Sequence, residues 1–242
     1  MRRGKHKIDP NLLDHLRAEL RSTYPDLHLY QDNGHILIRG SFPVAHEGAI
    51  LDRYSIEIEL PESYPESIPI VREIGGLIPR TADYHMNAQG EACLFLPDEC
   101  WRFFPPGTSL VPFLDGPVRN FFLGQSLVRR GQPWPFGQWG HGPQGIYEFY
   151  TELLGTNDLV TIRRYLEYLT KENVKGHWSC PCGSGQRLRN CHLNEVRDLR
   201  AKIPRSAAIQ SWKSLRALRH PINSHIPPKA EPESQEVNCT FQ

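Results

Sequence analysis

Residues 54–60 read Tyr54-Ser55-Ile56-Glu57-Ile58-Glu59-Leu60, a strict alternation of apolar and polar side chains. A period of two fits a half-buried strand and excludes a helix, whose apolar stripe repeats at three and four. Leu27, Leu29, Ile36 and Ile38 flank Gln31-Asp32-Asn33-Gly34, and Asn-Gly readily takes the positive φ that closes a tight hairpin. After Pro61-Glu62-Ser63-Tyr64-Pro65, the run 68–74 makes a fourth strand. Upstream, Leu12, Leu13, Leu16 and Leu20 fall at helical spacing behind Asp9 or Asn11 as cap, and that helix ends near Tyr24-Pro25. The first 75 residues therefore predict one helix and a four-stranded antiparallel meander, an α+β arrangement.

Residues 75–108 show no regular pattern, and an irregular stretch of that length in a folded domain usually carries function. From Leu110 to Arg129 the apolar positions return to helical spacing, with a break or restart expected at Pro117. Residues 131–143 form a Gly-, Pro- and Trp-rich loop in which Trp134 and Trp139 read as a packed flap. Two helices follow, Gly145–Leu154 and Leu159–Lys171, the second capped by Asn157 or Asp158. A basic stretch, Arg197–Arg219, reads as partly helical, and the Pro-rich tail from Pro221 as disordered.

Composition narrows the function classes. Of 242 residues 39% are hydrophobic, enough for a packed core. Net charge is +1, from 28 Lys+Arg against 27 Asp+Glu, so no basic field argues for nucleic acid. The basic N-terminus runs into Ile8-Asp9-Pro10 without the apolar stretch of a signal peptide, and no run reaches membrane-spanning length. Three of the six cysteines crowd into residues 180–191, which is no disulfide framework. It fits a reducing, cytoplasmic protein with one metal site.

That site is Cys180-Pro-Cys182-Gly-Ser-Gly-Gln-Arg-Leu-Arg-Asn-Cys191-His192. Three thiols and an imidazole supply four ligands for a closed tetrahedral zinc, and Gly183 and Gly185 let the chain turn back on itself. With no open position such a zinc is structural, and its binding drives folding. The stretch resembles the SEC-C zinc motif at all four ligands. Arg187, Arg189, Arg197 and Arg200 beside it either contact a partner or, more simply, form a solvated basic face.

The irregular stretch holds a second candidate: His85, Asn87, the turn at Gly90, and Cys93 at the head of a short apolar run. A thiol beside an amide donor suits acyl transfer, the sulfur carrying the acyl group and the donor steadying the oxyanion. The competing reading is a small buried hydrophobe. Cys100 reads as packing, Asp98 and Glu99 as solvated loop charges within reach of an incoming lysine, and His141 as a turn residue or a second residue of the catalytic loop.

Taken in order, these pieces resemble the ubiquitin-conjugating (UBC) fold across residues 8–155. Tyr64-Pro65 with Pro69 is similar to that family's Tyr-Pro…Pro segment, and His85-Met86-Asn87 to its His-Pro-Asn. Gly90-Glu91-Ala92-Cys93-Leu94 is similar to the stretch around its active-site cysteine, and Trp101 with Pro105 more loosely to its Trp-x-Pro. The resemblance implies that Cys93 is the thioester-forming nucleophile. It further implies that Asn87 holds the loop and helps stabilise the oxyanion, while His85 orders that loop. Met86 stands where the family has Pro, the Asn-to-Cys segment is shorter than in eukaryotic members, and the Trp-to-Pro gap is longer.

The Trp139–Gly145 segment is similar to that of prokaryotic relatives, which commonly sit in anti-phage operons. The implied partners are a ubiquitin-like activating enzyme, the C-terminus of a ubiquitin-like protein or of a nucleotidyltransferase, and a target protein. The expected organisation is a UBC-like domain at 8–155, a helical connector at 156–176, the zinc module at 177–200, and a basic then disordered tail at 201–242. The rival readings are an inert UBC-fold binding module and a cysteine hydrolase using Cys93 with His85 or His141.

Overall fold

A computed structural model describes residues 9–105, 107–137 and 139–218. Helix α1 (Pro10–Thr23) starts on Asp9, whose carboxylate accepts from the Asn11 N–H, and buries Leu13, Leu16 and Leu20. Four strands follow, β1 (Leu27–Asp32), β2 (His35–His46), β3 (Ala49–Leu60) and β4 (Ile70–Glu73), each antiparallel to the next in the order β1-β2-β3-β4. The first hairpin closes through Asn33 and Gly34, both at positive φ, as the Asn-Gly signal predicts. The second closes through Glu47 and Gly48, also at positive φ. There the sequence shows only a glycine.

The alternation of β3 sorts its faces. Tyr54, Ile56, Ile58 and Leu60 are buried, while Glu57 and Glu59 reach the outer face and meet Arg39 and Arg72. The inner face is covered by α1 and by a helical run built of α3 (Leu110–Phe113), a wide π turn (Leu114–Val118) and α4 (Arg119–Val128). Pro117 has no N–H to give the helix. The chain widens rather than stops, and Arg119 donates to the Leu114 carbonyl five residues back. The expected break at Pro117 is thus a bulge inside one continuous rod.

A second core gathers α5 (Pro143–Leu154), α6 (Leu159–Thr170), α7 (Leu193–Lys202) and α8 (Arg205–Arg216) around Phe149, Tyr150, Ile162, Leu166, Leu188 and Leu215. Asp158 caps α6, accepting from Val160 and Thr161. Arg200 is not part of a solvated face. It donates to the carbonyls of Tyr168, Lys171 and Glu172, satisfying the C-terminal end of α6, and Arg163 does the same for α8 through Leu215 and Leu218. Phe149 and Tyr150 of α5 pack in this second core, and the 131–142 loop runs between it and the first. The expected tail from Pro221 lies outside the described residues.

That loop spans both cores. Trp134 lies on the first, so close over Gly124 that a Cβ there would come within 2.5 Å of the indole. Trp139 packs edge-on against Phe149 of the second. No helix among the described residues is long and apolar enough to cross a membrane.

Candidate functional site

Cys93 stands just past a tight turn laid along the edge of the sheet. Asn87 N–H donates to the Glu91 carbonyl, Gly90 N–H donates back to the Asn87 carbonyl, and Met86 pairs with Ala92. The returning limb joins β4: Ala92 N–H donates to Val71, and Glu73 N–H donates to Gly90. This register sets His85 opposite Cys93, whose N–H donates to the His85 carbonyl at 2.8 Å. Upstream, buried Gln125 on α4 donates to the Tyr84 carbonyl at 2.7 Å.

The side chains of the turn hold it in shape. The Asn87 amide oxygen accepts from the N–H groups of Gln89 and Glu91, and its nitrogen donates to the Glu91 carboxylate at 2.6 Å. Glu91 in turn receives the Arg72 guanidinium at 2.9 Å, which also binds Glu57 and Glu59 on β3. Asn87 is therefore engaged as the staple of its own turn. Glu91, four residues after an Asn across a glycine turn, carries the link to the sheet. Sequence reasoning missed it because Arg72, its partner, lies 19 residues away.

Cys93 itself is exposed, against the buried-hydrophobe reading. Partial desolvation by the surrounding chain, with the Glu91 carboxylate adding to it, pushes the thiol above its usual value. Cys100 is buried, as the packing reading expects. The His85 ring lies 5.2 Å from Trp134 and 5.0 Å from His141, so the 131–142 loop brings a second imidazole against His85.

Asp98 and Glu99 are not solvated. They are 2% and 3% exposed and sit in a turn (Pro97–Glu99) that runs into α2 (Cys100–Phe103). Asp98 accepts from Tyr150 on α5 and from Ser211 on α8 at 2.7 Å. Burial raises its pKa, and those two hydroxyls oppose the rise. Glu99 accepts from the Trp139 indole at 3.0 Å and from the Leu96 N–H at 3.2 Å. The segment that begins at Cys93 is thus pinned, five and six residues later, to the second core. Acidic residues flanked by Pro97 and Cys100 give no sequence sign of burial, because their partners lie up to 113 residues away.

The second cluster folds as a knuckle. Cys180 N–H donates to Gln186, Leu188 N–H donates to Trp178, and Ser179 pairs with Arg187. Cys191 and His192 follow at the start of α7. The ligand atoms of Cys180, Cys182, Cys191 and His192 all lie within 4.8 Å of one another. Cys182 and Cys191 are 3.7 Å apart, and His192 Nδ1 is 3.2 Å from Cys180 and 3.1 Å from Cys191. Metal–sulfur bonds of about 2.3 Å at a tetrahedral angle put sulfurs about 3.8 Å apart, so the donor set fits a zinc-sized cation. Glu195 lies 3.6 Å from the other imidazole nitrogen, the place of a carboxylate that orients a ligating histidine.

All seven sequence-derived candidates thus fall into two groups: His85, Asn87 and Cys93 on one turn, and Cys180, Cys182, Cys191 and His192 in one knuckle. No protein-family model, curated protein or solved structure matches this chain.

Proposed function

We propose that this chain is a ubiquitin-conjugating-like acyl carrier. Cys93 accepts the C-terminal carboxyl of a ubiquitin-like modifier, or of a nucleotidyltransferase, from an activating enzyme and passes it to a target amine. One observation carries the reading: an exposed thiol sits directly after the Asn87–Glu91 turn, on the edge of a helix-plus-meander layer whose element order is that of the resemblance. Exchange of one thioester for another costs little free energy, and the product remains reactive toward amines. In this reading Asn87 and His85 order the turn rather than act as base. The setting is the cytoplasm of a bacterium, in defence against phage; cysteines gathered as metal ligands rather than spaced as a disulfide framework support a reducing compartment. The four-ligand knuckle holds one structural zinc and supplies no chemistry to the transfer.

The raised thiol and the engaged Asn87 amide favour one alternative, a binding module of the same fold with Cys93 inert. Intact mass separates them, measured after incubation with a candidate activating enzyme, ATP and the modifier, with Cys93→Ser and Cys100→Ser in parallel. A thiol-labile adduct lost only in Cys93→Ser is the expected result. An adduct that persists in Cys93→Ser, or none with any cognate set, moves the assignment to the binding module. Free carboxylate without an adduct is the mark of the hydrolase.

A further inference from the structure

Transfer to an amine needs a proton acceptor, because a lysine ammonium (pKa about 10.4) must lose a proton to attack and the attacking nitrogen must lose another. The carboxylates nearest Cys93 in sequence are already committed. Glu91 is held by Arg72 and Asn87, and Asp98 and Glu99 are buried under Tyr150, Ser211 and Trp139. The exposed imidazole nearest this turn is that of His141. His85 stands across from Cys93 in the paired limbs of the turn, and its ring lies 5.0 Å from that of His141.

His141 is exposed, yet the loop that carries it is fixed on both sides. Trp134 rests on Gly124, Trp139 is tied to Glu99, and the Gly140 N–H donates to the Glu148 carboxylate at 2.7 Å. His141 is thus an exposed imidazole on a clamped loop, in ring contact with the residue whose carbonyl pairs with the Cys93 N–H, and an imidazole so held can take up a proton.

We propose that His141, with His85 as its neighbour, accepts the proton of the amine that attacks acyl-Cys93; this rests on the acyl-carrier reading above. The amine nitrogen bonds to the thioester carbon, giving a tetrahedral intermediate. His141 takes a proton from that nitrogen, the C–S bond breaks, and its electron pair leaves on the Cys93 sulfur. The products are an amide, a thiolate and an imidazolium that returns its proton to the thiolate or to water.

The test loads Cys93 with diglycine from its 2-mercaptoethanesulfonate thioester and follows discharge by intact mass at neutral pH. Discharge to free lysine is compared with discharge to hydroxylamine, which is already unprotonated there and needs less help. In His141→Gln the lysine-to-hydroxylamine rate ratio should fall about 100-fold relative to the parent protein. An unchanged ratio on an acylated His141→Gln protein overturns the role of His141 and leaves the carrier reading standing. Failure of the parent protein to hold any acyl group on Cys93 overturns the carrier reading and this proposal with it. His141 lies exposed between glycines, so its replacement gives up the ring contact with His85 but leaves both cores intact.

Discussion

Cys93 is surrounded by residues whose roles divide between the near and the far in sequence. Asn87 staples its own turn through atoms at most four residues away, which is why a His-x-Asn…Gly…Cys spacing can be recognised at all. Glu91 is different. Its side chain joins that turn to Arg72 and, through it, to two glutamates of β3, and its charge also helps hold the Cys93 thiol above its ordinary value. Removing that charge favours the thiolate, the form that reacts. Glu91→Gln should therefore speed alkylation of Cys93 by iodoacetamide at pH 8 by about two- to fivefold, the effect of a partly screened charge. The rate-against-pH curve should shift to lower pH. A slower reaction would mean that Glu91 matters through the geometry of the turn instead.

Between elements, the join that matters is the buried turn at Asp98. Its carboxylate is shared by α5 and α8, so the chain leaving Cys93 cannot move without disturbing the second core. The folded carboxyl has a raised pKa because burial disfavours the charge. A group raised in this way stabilises the fold fully below its unfolded value, near 3.9, and loses that contribution as pH rises through the folded value. Asp98→Asn removes the titration while keeping a side chain of the same shape. Thermal melts across pH should show the parent protein losing stability relative to Asp98→Asn as pH rises from about 4 toward neutrality. A difference that does not change with pH would place the effect in the hydrogen bonds alone. Other elements were plain from pattern: the leucine spacing of α1, the Asn-Gly hairpin and the alternation of β3 each encode local geometry. Pro117 was misleading for a physical reason, since a missing N–H ends a helix only where the chain cannot widen by one residue to pass it.

In the whole molecule, two cores are joined by the 131–142 loop and by the Asp98 turn, and the thiol knuckle is built into the second. Cys180 and Leu188 lie in that core, and His192 immediately precedes α7. Burial raises Cys180, whereas at Cys182 hydrogen bonds from Ser184 and the neighbouring thiols outweigh burial and bring the pKa to about 6. A cation held by the four ligands would contribute to folding of the second core. Chelation should lower the melting temperature, and hydrogen exchange should then rise in two places. One is residues 177–203; the other is 97–104, which contain no ligand but are held by α5 and α8. Increased exchange confined to the knuckle would show that the two cores are not coupled through Asp98. What the linear chain settled is whatever acts within a few residues: strand period, turn chemistry, helix spacing, the four metal ligands and the order of elements in which Cys93 falls. What the folded chain alone settled is the burial of Asp98 and Glu99, the meeting of His85 with His141, and the grouping of α5 with the second core. Those depend on partners 40 to 113 residues apart, and separations of that kind leave no periodic trace in sequence.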